Sequence, residues 1–217
     1  MGSGATLRAV DAVLYDFGGV FMPSPFAAIR TLSEEQGIEY DDALEVLFGS
    51  YHEDTDHPWH RCERGEIPIT VARQEIRELG RRRGLDLDLF QILKHLGGNG
   101  QPIEPMIDCV RRARAAGCRT AIVTNNVAEA KDLWRPLIPL DELFDAVIDS
   151  SEVGIRKPDP RIYELTLDVL GGIEPTRAAF LDDFPGNVVA ARKLGMIGIL
   201  VEADPTPAIR QIDELLG

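Results

Sequence analysis

Four features of this sequence put chemistry-bearing side chains in positions where they can meet. Asp16 closes the apolar run AVDAVLYD, Thr124 closes RTAIVT, and the adjacent Asp182 and Asp183 close RAAFLDD. Lys157 stands in GIRKPDP, just ahead of a helical pattern. Each has an ordinary reading when taken alone. Asp16 can begin a turn. Thr124, in VTNNVAE, can lead into a helix capped by Asn126 and boxed by Glu129. Lys157 can be a solvated surface charge, with Pro158 holding it extended. The Asp182–Asp183 pair is harder to dismiss, because adjacent carboxylates at the end of a buried run repel unless a cation or donors stand near. A hard divalent ion such as Mg²⁺ suits them. Together, a carboxylate nucleophile, a hydroxyl, a fixed cation and metal-binding carboxylates are what phosphoryl transfer uses. Catalysis there is mostly positioning and charge neutralisation. A helix starting after Thr124 would add backbone N–H groups for phosphate oxygens.

The elements that must position these groups read as strands and helices in alternation. AVDAVLYD, RTAIVT, FDAVIDS, RAAFLDD and MIGILVE are rich in Ala, Val, Ile and Leu without strict polar alternation. Strands buried on both faces of a parallel sheet have this composition. Between them, PIEPMIDCVRRARAAG places Met106, Cys109, Val110 and Ala113 on one helical face and stops at Gly117. DPRIYELTLDVLGG starts with Asp159 as N-cap and Pro160 at the first helical position. PGNVVAARKLG is a third helix, ending at Gly195. This alternation predicts an α/β fold, a doubly wound Rossmann-like parallel sheet. In such sheets ligands bind at the carboxyl ends of strands, where Asp16, Thr124 and Asp182–Asp183 fall. Residues 24–100 break the rhythm with helical segments only. They predict an inserted helical cap in a discontinuous core, residues 1–23 and 101–217.

The chain has 217 residues and a formal net charge of −13, which argues against nucleic acid and anionic membrane partners. Three cysteines, Cys62, Cys109 and Cys118, form no CxxC pair and predict reduced thiols in a cytoplasmic setting. No apolar run approaches a membrane span and no basic-then-apolar leader opens the chain. The opening MGSGAT fits a loose myristoylation pattern but reads better as a floppy terminus. Trp59 and Trp134 suit either a core or an interface, so both monomer and homodimer are expected.

The motifs YDFGGVFMPSP, TNN, GIRKPDPRIYEL and FLDDFPGNVVAARKLGM, spread over nearly the whole chain, resemble the haloacid dehalogenase-like hydrolase superfamily. Within it they resemble the helical-cap subgroup, and there the phosphatase-type domain at the N-terminus of soluble epoxide hydrolase. The resemblance implies that Asp16 is the nucleophile of a covalent aspartyl-phosphate. It implies that Thr124 and Lys157 hold phosphoryl oxygens and that Asn125 orients the substrate or the nucleophile. Mg²⁺ would be held by Asp16, Asp183 and the main-chain carbonyl of Gly18, with Asp182 assisting. The expected substrate is a small phosphorylated metabolite.

One position departs from the family pattern. Gly18 stands where the family's phosphatases usually carry an Asp that protonates the leaving group. A positioned general acid contributes roughly 10²–10⁴ in rate. Either the substrate has a good leaving group, or a cap residue substitutes, or turnover is impaired. The cap stretch YHEDTDHPWHRCERGE offers His57, Trp59 and His60 as substrate-facing candidates, against a plain polar loop packed by Trp59. A metal site of its own lacks regular ligand spacing there. The rival readings are a 2-haloacid dehalogenase of the same fold, a phospho-accepting receiver, and a Mg²⁺- and phosphate-binding relative without turnover.

Overall fold

The computed structural model describes residues 8–96 and 100–217. The MGSGAT opening lies outside the described residues. Five parallel strands, β1 (Ala12–Tyr15), β2 (Arg119–Thr124), β3 (Ala146–Asp149), β4 (Ala178–Asp182) and β5 (Ile197–Leu200), form one sheet in the order β3-β2-β1-β4-β5. The chain fills one side of β1 with β2 and β3, then crosses to build β4 and β5 on the other. That reversal makes β1 the switch point, where open α/β sheets bind ligands. The register carries this through: Tyr15 lies opposite Ile122 on one side and Leu181 on the other. The residues just beyond, Asp16, Thr124 and Asp182, therefore end on three neighbouring strands.

The strands are apolar on both faces because both faces are covered. Val13, Tyr15, Ile122, Leu181 and Ile199 point into one core. Their neighbours Ala12, Leu14, Ala121, Val123 and Phe180 point into the other. The first core is closed by α6 (Glu104–Ala115) and α12 (Thr206–Leu216), the second by α10 (Pro160–Val169) and α11 (Pro185–Lys193). Met106, Cys109, Val110 and Ala113 are all buried on α6, as their spacing predicts. Asp159 caps α10, its side chain accepting from the Arg161 N–H, and Pro160 opens the helix. Trp134 is a core residue, its ring 4.7 Å from that of Phe17.

Between β1 and α6 lie five helices: α1 (Pro25–Gln36), α2 (Tyr40–Leu47), α3 (Pro58–Glu63), α4 (Ile69–Arg82) and α5 (Leu89–Leu96). They share a separate apolar cluster that includes Ile29, Leu32, Val46, Leu47, Ile76 and Leu89, joined by Val127 from the sheet side. The two chain segments that enter and leave this unit run together, with the Ile103 N–H donating to the Phe21 carbonyl at 2.8 Å. Among the described residues, no helix is long and apolar enough to cross a membrane. Cys62, Cys109 and Cys118 are unpaired and buried.

The expected helix after Thr124 is broken up. A 3-10 turn, Ala128–Ala130, runs into the four-residue α7 (Lys131–Trp134) and a second 3-10 turn, Arg135–Leu137; the short helices α8 (Leu140–Leu143) and α9 (Ser150–Val153) stand before and after β3. The Asn126 side chain accepts from its neighbour, the Val127 N–H, at 2.8 Å, rather than capping a helix. Glu129 closes no box: its Oε1 accepts the N–H of Ile69 at 2.9 Å. The first turn of α4 follows Pro68, which has no side-chain acceptor, so a carboxylate from another unit takes the orphan donor. No helix N-terminus long enough to cradle a phosphate follows Thr124.

Candidate active site

Lys157 organises the end of the sheet. Its Nζ lies 2.7 Å from Asp16 Oδ1 and 2.7 Å from Asp182 Oδ2, while the side chain is 1% exposed. The loop carrying it is pinned by Asn125, whose Oδ1 accepts the Lys157 N–H at 2.8 Å and whose Nδ2 donates to the Lys157 carbonyl at 3.0 Å. Asn125 thus acts on the loop through both of its amide atoms. Burial pulls the Lys157 pKa down, but Asp16 and Asp182 more than offset it and hold the ammonium charged.

Asp182 and Asp183 divide their work. Asp182 is fully buried, and its oxygens accept from the Phe184 N–H at 2.7 Å, from Asn187 Nδ2 at 3.0 Å and from Lys157. Asp183 is half-buried and accepts a short hydrogen bond from Ser24 Oγ, the residue that caps α1. Asp16, on the main chain, donates its N–H to the Leu181 carbonyl at 2.8 Å. Burial raises the Asp16 pKa to about 7, Lys157 opposing the rise and Asp182 adding to it. Burial also drives Asp183 well above the usual carboxylate range, and the charges of Asp182 and Asp16 push it further.

These values describe a site short of positive charge. Asp16, Asp182 and Asp183 each present an oxygen within 4.8 Å of the others, and the one ammonium among them pairs with Asp16 and Asp182 only. The excess of two negative charges and the all-oxygen donor set fit a small hard dication such as Mg²⁺. Asp183, free of any cationic partner within ion-pair distance among the described residues, is its natural anchor.

Gly18 and Gly19 differ in what they permit. Gly19 has φ +72°, and a Cβ there would lie 2.1 Å from the Asp183 carboxyl. Only glycine lets the backbone come this close to the carboxylate. At Gly18 a Cβ would meet nothing nearer than Pro25 Cδ at 3.5 Å, an ordinary contact. Space for a side chain exists at Gly18. Thr124 is 2% exposed at the end of β2, and its hydroxyl reaches only the Asn125 carbonyl, at 3.5 Å.

The histidines expected to face substrate are used elsewhere. His57 caps α3, its Nδ1 accepting the Trp59 N–H at 3.1 Å. His60 is fully buried, and its Nδ1 accepts the Thr55 N–H at 3.0 Å. Trp59 stacks on Phe48 at 4.8 Å and donates its indole N–H to Tyr51 Oη at 3.1 Å. Burial lowers the pKa of His57 to about 4 and of His60 to about 3, so both rings are neutral near pH 7. All three are capping and packing residues of the insertion: His57 Nδ1 caps α3 and His60 Nδ1 holds the loop ahead of it, while the Nε2 atoms of both rings are buried without a hydrogen-bond partner. The exposed histidine of this stretch is His52, its ring 5.6 Å from that of Phe184, two residues after Asp182. Sequence reasoning also missed Ser24, Asn187 and Arg156, which touch Asp183, Asp182 and the insertion. Only Arg156 left a signal, as a second cation beside Lys157 in GIRKPDP.

With this geometry in view, comparison with known proteins is direct. The model of the haloacid dehalogenase-like hydrolases matches residues 10–195. The chain belongs to this family. It is 38% identical to bifunctional epoxide hydrolase 2 of Rattus norvegicus over 96% of its own length, and it spans only 39% of that protein. It is 28% identical to the sesquiterpene phosphatase astK of Aspergillus oryzae, over 95% of this chain and 96% of that one. Among solved structures it superposes on a family enzyme from Bacteroides thetaiotaomicron in complex with magnesium and inorganic phosphate. The TM-score is 0.59 at 19% identity, covering 90% of this chain and 96% of the other, which is a likeness of fold. This haloacid dehalogenase-like hydrolase thus has the parallel-sheet core of its relatives and a carboxylate cluster at the end of that sheet.

Proposed function

We propose that this hydrolase is a Mg²⁺-dependent phosphatase of small phosphorylated metabolites, working through a covalent aspartyl-phosphate on Asp16. The observation that carries this reading is the single ammonium of Lys157 shared at 2.7 Å between Asp16 and Asp182, with Asp183 completing a cluster two negative charges in excess. A dianionic phosphate can approach such a cluster only if a dication accompanies it, and bound Mg²⁺ would neutralise charge on the phosphoryl oxygens. In this reading Asp16, Asp183 and the Gly18 carbonyl hold the ion. A dehalogenase working without metal gives the surplus carboxylates no purpose.

The chain's own groups then have defined tasks. An Asp16 carboxylate oxygen attacks phosphorus, forming the acyl phosphate as the bond to the leaving oxygen breaks. Lys157 and the underused Thr124 hydroxyl hold the non-bridging oxygens in line. Asn125 keeps the Lys157 loop in place. Water then hydrolyses the acyl phosphate, releasing phosphate and regenerating Asp16. Nothing at Gly18 can protonate the departing oxygen, and His57 and His60 are engaged within the insertion. The preferred substrates are therefore phosphates whose leaving groups depart readily as anions, such as glycosyl-1-phosphates and acyl phosphates. The helices of residues 24–100 act as the cap, and the three free thiols suit a cytoplasmic protein.

The test is phosphate release with and without Mg²⁺ on a panel of glycosyl-1-phosphates, acyl phosphates, p-nitrophenyl phosphate and alkyl phosphates, with Asp16→Asn as control. The expected result is Mg²⁺-dependent turnover, abolished in Asp16→Asn and biased to good leaving groups. Halide release from 2-haloacids without Mg²⁺ would replace the proposal with the dehalogenase reading. Mg²⁺ binding without any turnover would leave a binding protein.

A further inference from the structure

Arg156 is the largest fully buried side chain among the described residues, 0% exposed. It stands one residue before Lys157 on the sheet side of the molecule, yet its side-chain partners come from the helical insertion. Its Nε lies 2.7 Å from Glu63 Oε2, at the end of α3, and its Nη1 lies 3.5 Å from Asp54 Oδ1. Its guanidinium carbon sits 5.1 Å from the centre of the Tyr51 ring. Tyr51 in turn donates its hydroxyl to Glu63 Oε1 at 3.1 Å. Glu63 is 1% exposed, and neither Nη atom of Arg156 makes a hydrogen bond. The charge on this core loop is therefore balanced chiefly by Glu63, and only while the insertion is docked.

The docked state covers the reacting groups. Asp16 is 9% exposed, Thr124 2% and Lys157 1%. Substrate reaches them only if the insertion lifts, and lifting separates Glu63 from Arg156. The rest of the seam is closely fitted. Gly65 approaches the Ser151 carbonyl so nearly that a Cβ would lie 2.5 Å from it, and Tyr51 meets Phe184 with ring centres 5.0 Å apart. One short loop thus bears Arg156, read by the insertion, and Lys157, pinned by Asn125 and bonded to Asp16.

We infer that Glu63 and Arg156 form a latch that holds the helical insertion shut over Asp16, and that Arg156 is a positioning residue which couples the closed state to the Lys157 ammonium. The kinetic part of this inference rests on the proposed roles of Asp16 and Lys157; the latch itself does not. Each turnover must open and remake the pair. A latch broken on one side leaves a buried, unbalanced guanidinium, which disfavours closure rather than the fold of either unit.

The test is hydrogen exchange on the full chain without substrate, comparing wild type, Glu63→Gln and Arg156→Lys, followed by steady-state kinetics. Glu63→Gln is expected to speed exchange at the seam, in segments 51–63 and 154–158, by about tenfold or more, while the amides of β1 and β4 keep their protection. Arg156→Lys keeps the charge but loses the fork, and shows a smaller rise in the same segments. In kinetics, kcat/KM falls roughly a hundredfold in Glu63→Gln, and the exchanged pair Glu63→Arg with Arg156→Glu recovers part of it. Unchanged seam exchange in either folded variant overturns the latch. A uniform rise that includes the sheet also overturns it, because the pair then supports only the fold. Should Glu63→Gln fail to fold, exchange in Arg156→Lys decides between the same outcomes. An inactive wild type with seam-confined exchange changes would defeat the phosphatase reading and leave the latch standing.

Discussion

Two consecutive glycines show how much one hydrogen in place of a methyl decides at the residue scale. Gly19 is required by both its positive φ and the nearby Asp183 carboxyl. Gly19→Ala should destabilise the protein by about 2–4 kcal/mol, combining left-handed strain with overpacking. It should also weaken Mg²⁺ binding, as thermal melts and calorimetric titration will report. Gly18 is under neither constraint, since its nearest prospective contact is Pro25 Cδ at 3.5 Å. Gly18→Asp should fold normally and raise turnover of alkyl phosphates by up to ~10²–10⁴, the range of a positioned general acid. Glycosyl-1-phosphates should gain little. Gly18→Ala, with the bulk and no proton, should leave both rates unchanged. A Gly18→Asp protein with no gain on poor leaving groups would show that another group already performs that step.

Helix α3 is where histidine chemistry and helix capping meet at the element scale. His57 and His60 hold their protons poorly in the folded state, with pKa values of about 4 and about 3, because burial disfavours the charged rings. In the unfolded chain the ordinary value near 6.5 returns. The unfolded state therefore binds more protons below about pH 6.5, so their contribution to stability is complete above that pH and is lost as pH falls through the folded values. His57→Asn keeps an N-cap acceptor and removes one of these protons. Denaturant melts should show it matching wild type near pH 7 and exceeding it near about pH 5. An identical acid limb in the two proteins would show that His57 is not buried as a neutral ring. Coupling between the helical insertion and the sheet at this scale runs through Glu129, whose Oε1 accepts the Ile69 N–H at 2.9 Å. Glu129→Ala should fray the first turn of α4 at a cost of about 1 kcal/mol.

For the whole molecule, the excess of carboxylates at the end of the sheet links metal to stability. On the proposed reading Mg²⁺ would bind the folded chain and find no assembled site in the unfolded one, so it should raise the melting temperature. At a concentration about 100 times its dissociation constant the gain is about 2.7 kcal/mol. Asp183→Asn should abolish most of that gain while raising the stability of the metal-free protein, because it removes a crowded carboxylate from beside Asp16 and Asp182. An undiminished Mg²⁺ shift in Asp183→Asn would move the ion away from this cluster. The acidic chain, with a net charge of −13, repels phosphates at long range. Added salt should therefore lower KM for dianionic substrates modestly, the reverse of the trend for a basic site.

Much of this was written in local sequence. Five Val-, Ile- and Ala-rich runs, Asp159 before Pro160, and the Met106-Cys109-Val110-Ala113 stripe specify strands and helices through periodicity and capping, which act over a few residues. The ordered set Asp16, Thr124, Lys157 and Asp182–Asp183 was legible because a parallel sheet with β1 at its centre brings strand ends together. What sequence could not convey were pairings chosen across tens of residues. Glu129 serves a helix 60 positions earlier, Ser24 reaches Asp183, and Arg156 finds Glu63. The short-range pattern of the chain determined its elements and named the candidate groups that the sheet brings together. Only the tertiary structure decided which buried donor meets which acceptor, because a desolvated polar group takes whatever partner the packing of distant elements supplies.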